Sequence, residues 1–115
     1  MGNRRRHINL YSWIHYIMND YEIYMDKNMR KSINLSVPYY IMAAYAYYKE
    51  DDPIISDTTF DKLASFILEN YDNITHPHKV YLDQSTLEAG TYLGEYPRLA
   101  IDALKDLRQI IEKKA

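Results

Sequence analysis

Apolar side chains recur at steps of three and four residues along most of this chain, and this spacing constrains the fold more than any other feature. An α-helix completes a turn in about 3.6 residues, so such a stripe lies on one helical face and can be buried against a neighbouring element. The sequence therefore predicts a mainly α-helical protein. We expect residues 1–115 to form a single domain with four principal helices.

Two helices are predicted in the first half of the chain. The first stripe predicts a helix over about residues 8–26, and the polar stretch from Lys27 to Ser36 is expected to form a loop. Pro38 is tolerated in the first turn of a helix, and the second helix is predicted to run from there to about Lys49. The apolar positions of these two helices are Leu10, Trp13, Ile14, Ile17, Tyr21 and Tyr24, then Tyr40, Ile41, Ala44, Tyr45 and Tyr48.

Two further helices are predicted in the second half. Pro53 pushes the preceding residue out of the helical region, and Ser56 or Asp57 can then cap a new helix. Residues 38–71 are therefore expected to form a helix-turn-helix hairpin. The apolar positions are Phe60, Leu63, Ala64, Ile67 and Tyr71 in the third helix, then Ala100, Ala103, Leu104, Leu107, Ile110 and Ile111 in the last.

The segment from Lys79 to Gly94 is harder to assign. Val80, Tyr81 and Leu82 are typical of a strand, whereas residues 83–89 fit a short helix. Glycines at 90 and 94 indicate turns. The two histidines of His76-Pro77-His78 have no third ligand nearby, so no metal site is expected.

Net charge and composition argue against several classes of function. The net charge of −2 gives the chain as a whole no attraction for nucleic acid, and Arg4, Arg5 and Arg6 are the one weak argument for such a partner. The absence of cysteine excludes disulfides and thiolate zinc sites. No apolar run is long enough to cross a membrane, and we expect a cytoplasmic protein without a membrane partner.

Residues 47–63 contain the side chains that are best suited to bind a ligand. Asp57 and Asp61 are four residues apart, so both carboxylates can point from one face of a helix near its positively polarised start. They offer acceptors for ribose hydroxyls or a countercharge for a cationic ring, and Tyr47 or Tyr48 can stack on such a ring. The alternative is that Asp57 only caps the helix, Asp61 is a solvated acid and the tyrosines belong to the core.

This stretch resembles domain Ia of bacterial-type NAD-dependent DNA ligases. The family pattern is close to Tyr-Tyr/His, a few residues, Asp-x-Pro-x-Ile-x-Asp-x-x-Tyr-Asp-x-Leu, and then His-Pro about fifteen residues later. The resemblance covers residues 40–77, about a third of the chain. The matching positions are Tyr47, Tyr48, Asp51, Pro53, Ile55, Asp57, Asp61, Leu63 and His76-Pro77.

The resemblance implies a helical domain that recognises the nicotinamide mononucleotide half of NAD. The cofactor-binding positions that it implies are Tyr47, Tyr48, Asp57, Phe60 and Asp61. Phe60 stands where the family usually has tyrosine, so a hydroxyl contact is lost there while packing of the ring can remain.

Complete ligation by this chain is not expected. In the family, a lysine in a Lys-x-Asp-Gly motif becomes the covalent carrier of the adenylyl group, and none of the three glycines here follows that pattern. We therefore expect no catalytic residues. The expected function is that of a non-catalytic module, of a size and composition typical of a virus or phage, which binds NAD or nicotinamide mononucleotide alone or docked on a separate nucleotidyltransferase. The alternative is a protein-interaction module that kept the scaffold without the ligand and modulates a host protein.

Overall fold

The computed structural model describes residues 18–92 and 94–113. Within these ranges the chain forms five α-helices and no β-strand, so the predicted mainly α-helical fold is confirmed. The helices are α1 (Asp20–Met29), α2 (Ser36–Tyr48), α3 (Asp57–Glu69), α4 (Gln84–Ala89) and α5 (Arg98–Lys113), with 3₁₀ turns at Ile33–Leu35, Tyr71–Asn73 and Pro77–Tyr81. None of the helices in the described ranges is long and apolar enough to cross a membrane.

Helix α1 begins later than its apolar stripe predicts. The side chain of Asn19 accepts a hydrogen bond from the amide of Glu22, and the carboxylate of Glu22 accepts one from the amide of Asn19, at 2.8 and 2.9 Å. This reciprocal capping box starts the helix at Asp20. A continuous helix over 8–26 is therefore wrong at residues 18 and 19, and residues 8–17 lie outside the described part of the chain.

The loop predicted from Lys27 to Ser36 is shorter than expected. Helix α1 continues to Met29, a 3₁₀ turn follows at Ile33–Leu35, and Ser36 already belongs to α2. Met25 and Met29, one turn apart, are fully buried and anchor the end of α1 in the core.

Helix α2 is the centre of the fold, and it contacts α1, α3 and α5. It begins two residues before the predicted Pro38 and ends one residue before Lys49. A helix that is apolar on nearly every side must be surrounded by other elements, and this one is. Its buried residues are Ser36, Val37, Tyr39, Tyr40, Ile41, Met42, Ala43, Ala44 and Ala46.

Helices α2 and α3 pack together across the turn at residues 49–56, as the hairpin prediction requires. Helix α5 buries Ala100, Leu104, Leu107 and Ile111 as its stripe predicts, but Ile110 remains 46% exposed, so its assignment to the buried face is wrong. Leu107 and Ile111, one turn apart, point inward, which turns Ile110 outward.

The strand predicted at residues 80–82 does not form. Pro77 instead opens a 3₁₀ turn over Pro77–Tyr81, where His76 Nδ1 accepts a hydrogen bond from the amide of His78 at 3.0 Å. Val80 is 85% exposed because residues 18–92 and 94–113 contain no second strand that could cover it. The short helix expected over 83–89 is confirmed as α4, with Asp83 as its cap.

Candidate functional site

A cavity of ≈ 190 Å³ opens where the end of α2, the start of α3 and the residue after α4 meet. All five residues predicted to bind a cofactor line it, so the fold brings them together. The lining residues are Ala43, Tyr47, Tyr48, Ile55, Asp57, Phe60, Asp61 and Gly90, and we refer to this cavity as the pocket.

The two acids of the pocket stand at the start of α3. The cap of this helix is Ser56, whose hydroxyl accepts a hydrogen bond from the amide of Thr59 at 3.1 Å. Asp57 is therefore not the capping residue, and its carboxylate is not used by the backbone in that way. The positive end of the helix dipole favours the charge of an acid at this position.

Neither carboxylate is neutralised by a residue in the described part of the chain. No ion pair or hydrogen bond within the described ranges engages the side chain of Asp57 or Asp61. Two acids in one small cavity repel each other and attract a cation. The pocket is thus electrostatically suited to a positively charged ligand.

The aromatic wall consists of Tyr47, Tyr48 and Phe60. The two tyrosine rings meet edge to face with centroids 4.8 Å apart, and they are 43% and 39% exposed, which rules out a role as core residues. The ring of Phe60 stacks on that of Tyr40 at a centroid distance of 4.6 Å. The electron-rich faces of these rings attract cations, as the acids do.

Helix α1 holds the start of α3 in place. The carboxylate of Glu22, only 2% exposed, accepts a hydrogen bond from the amide of Ser56 at 3.0 Å. The side-chain amide of Asn19 donates to the carbonyl of Ile54 at 2.9 Å. These bonds fix the segment that carries Ile55 and Asp57 into the pocket wall.

Helix α5 holds the turn between α2 and α3. The guanidinium of Arg108 donates to a carboxylate oxygen of Glu50 at 2.9 Å and to the carbonyl of Asp52 at 2.7 Å. Between these two residues, Asp51 has a φ of 54°, a left-handed conformation that costs a non-glycine residue free energy. Arg108 therefore stabilises a strained turn that joins two walls of the pocket.

Gly90, at the end of α4, lines the pocket together with residues from α2 and α3. It ends α4 in the left-handed conformation, with a φ of 72°, which glycine adopts without steric cost. A Cβ atom at this position would lie 3.7 Å from Asp61 Oδ1, so the backbone of Gly90 faces the acids closely.

Four supporting residues were not identified from the sequence as parts of the site: Glu22, Ala43, Gly90 and Arg108. The Asn19-x-x-Glu22 spacing is the signature of a capping box and could have revealed the first. Ala43 lies four residues before Tyr47, on the same face of α2. No local pattern could have revealed Arg108, because its partners Glu50 and Asp52 are more than fifty residues away in the chain.

His76 and His78, the other candidate ligands in the sequence, do not line the pocket. No cluster of three or more potential metal ligands exists among residues 18–92 and 94–113. Arg4, Arg5 and Arg6 lie outside the described residues. A second concavity of ≈ 340 Å³ is larger, but Asp20 and Lys27 offset each other's charge there, and its other lining residues are Ile23, Tyr24 and Ile111.

Comparison of the chain with protein-family models, with curated proteins and with solved structures yields no match. The chemistry of the pocket itself is therefore the basis for a functional assignment.

Proposed function

We propose that this chain is a non-catalytic binding module of the ligase domain Ia type, which holds the nicotinamide half of NAD in the pocket. The observation that carries the proposal is the meeting of Tyr47, Tyr48, Asp57, Phe60 and Asp61 around one cavity. The pocket combines two acids with three aromatic rings, whereas the second described concavity has one acid and one aromatic ring.

The charge of the pocket supports a cationic ligand. The nicotinamide ring of NAD⁺ and of nicotinamide mononucleotide carries a positive charge, and the ribose attached to it carries hydroxyl donors. Asp57 and Asp61 can accept those hydroxyls and oppose the charge, and the aromatic wall adds a cation–π attraction of about 0.5 to 2 kcal/mol.

The size of the pocket supports half of the dinucleotide rather than all of it. Pockets for drug-sized ligands enclose about 300 to 1,000 Å³, and this one encloses ≈ 190 Å³. The adenylate half would be left to a separate nucleotidyltransferase on which the module docks. Without linked contacts to that half, affinity in the high-micromolar to millimolar range is the expected order of magnitude.

The rival function is a protein-interaction module that has lost the ligand and modulates a host protein. Phe60, which lacks the hydroxyl usual in the family, favours this rival. The two acids of the pocket, which have no partner among residues 18–92 and 94–113, favour the first proposal, because a disused site has no need to keep two such carboxylates together.

A thermal-shift titration separates the two functions, because a ligand that binds only the native state raises the apparent stability. Nicotinamide mononucleotide and NAD⁺ should raise the melting temperature, whereas AMP and reduced nicotinamide mononucleotide, which lack the cationic ring, should not. Equal effects of all four compounds, or no effect of any, would remove the support for nicotinamide recognition.

A further inference from the structure

Tyr40 has a polar group that the fold leaves without a partner. Its side chain is fully buried, and its hydroxyl has no hydrogen-bond partner within the described structure. Two other tyrosines with little exposure have partners, since the hydroxyl of Tyr71 donates to the carbonyl of Leu82 and that of Tyr92 donates to the carbonyl of Glu95. A buried, unpaired hydroxyl opposes folding, so its presence calls for an explanation.

Tyr40 lies directly behind the pocket. It precedes Ala43 and Tyr47 by three and seven residues, so the three share one face of α2. Its ring stacks on Phe60 and meets the edge of Tyr92 at a centroid distance of 6.3 Å. Phe60, which lines the pocket, and Tyr92, two residues after Gly90, thus both pack against Tyr40.

The electrostatic surroundings agree with this position. Burial raises the pKa of Tyr40, and the nearby Tyr48 and Asp61, both of which line the pocket, raise it further. The hydroxyl therefore stays protonated and available as a donor at neutral pH.

We propose that the Tyr40 hydroxyl is a specificity-determining group of the pocket and donates a hydrogen bond to the carboxamide of the bound nicotinamide. This inference rests on the proposed function. The carboxylates of Asp57 and Asp61 can only accept hydrogen bonds, so the carbonyl of the carboxamide needs a donor elsewhere. Because the hydroxyl is closed off from solvent and the ring of Phe60 stacks on Tyr40, this contact requires the side chain of Phe60 to move.

The test compares nicotinamide mononucleotide with pyridine mononucleotide, which carries the same charged ring without the carboxamide. Each is titrated by chemical-shift mapping into the unmodified protein, Tyr40→Phe and Tyr92→Phe. The unmodified protein should prefer nicotinamide mononucleotide by about two- to tenfold, the value of one hydrogen bond, and Tyr40→Phe should abolish that preference.

Tyr92→Phe is the matched control, because it removes a hydroxyl that already has a partner. It should lower the stability of the protein and keep the preference, whereas Tyr40→Phe should leave the stability unchanged or raised. If Tyr40→Phe keeps the preference, or if the unmodified protein shows none, the role of Tyr40 is overturned and nicotinamide binding stands. If the unmodified protein binds neither compound, both proposals fail.

Discussion

The buried carboxylate of Glu22 accepts a hydrogen bond from the backbone amide of Ser56, 34 residues further along the chain. Its other oxygen accepts one from the amide of Asn19. One side chain thereby satisfies amides at the starts of two helices, α1 and α3. The start of α3 carries Asp57, so this bond connects the stability of the fold to the geometry of the pocket.

Replacement of Glu22 by Gln should lower the free energy of unfolding by about 1.5 to 3 kcal/mol, the usual value of hydrogen bonds to a charged group. The amide of Gln presents an N–H group where an acceptor is needed. Urea denaturation measures the loss. Asp20→Asn is the control, since Asp20 is exposed in the same helical turn, and a loss of equal size there would contradict the role of Glu22.

Replacement of Arg108 by Lys should lower the free energy of unfolding by about 1 kcal/mol, because lysine cannot make the two-directional contacts to Glu50 and Asp52. The loss should be smaller in high salt, which already weakens the contact in the unmodified protein. Arg98→Lys, which alters an exposed ion pair to Asp102, should have almost no effect. Equal stability of the Arg108→Lys variant and the unmodified protein would show that the contacts of Arg108 do not stabilise the turn.

Replacement of Gly90 by Ala should lower the free energy of unfolding by about 1 to 2 kcal/mol, because alanine resists the left-handed conformation. Asn tolerates that conformation better, so Gly90→Asn should lose less. Thermal denaturation of the two variants gives the order. A Gly90→Ala variant as stable as the unmodified protein would contradict the observed φ of 72°.

The stability of the protein should fall in mild acid partly through His76. Burial, and then the neighbouring His78, lowers the pKa of His76 below its ordinary value of 6.5. The unfolded chain then binds the proton more readily than the folded one, so the stabilisation is complete above that value and is lost as the pH falls below it. Protonation of Nδ1 also removes the acceptor for the amide of His78.

Asn at position 76 can still accept that hydrogen bond but does not titrate. Denaturation of His76→Asn and of the unmodified protein at about pH 7.5 and about pH 5.5 should show a smaller decrease for the variant. Equal decreases would show that His76 does not contribute.

The sequence predicted those features that depend on neighbouring residues. The stripes of α2, α3 and α5 could be recognised because helices bury residues three and four apart, and the cap of α3 was narrowed to Ser56 or Asp57, of which the fold uses Ser56. The start of α1 was misplaced because an apolar stripe crosses Asn19, where a capping box overrides it. The strand at 80–82 was wrong because β propensity requires a partner strand to take effect.

The part of the pocket that the sequence predicted also depends on residues that are neighbours in the chain. Tyr47, Tyr48, Asp57, Phe60 and Asp61 belong to one continuous segment, so a sequence pattern could identify them. Glu22, Gly90 and Arg108 come from distant segments, and only the packing of α1, α4 and α5 brings them to the site.

The most direct test of nicotinamide recognition is chemical-shift mapping during a titration with nicotinamide mononucleotide. Resonances of residues 45–62 and of Gly90 should move at millimolar ligand. Asp57→Asn should weaken binding by about 1 to 2 kcal/mol, because it removes the attraction between a partly solvated carboxylate and the cationic ring. Glu69→Gln, the same charge change at the far end of α3, should bind as the unmodified protein does. If residues 45–62 do not move while the protein stays folded, the pocket does not recognise nicotinamide.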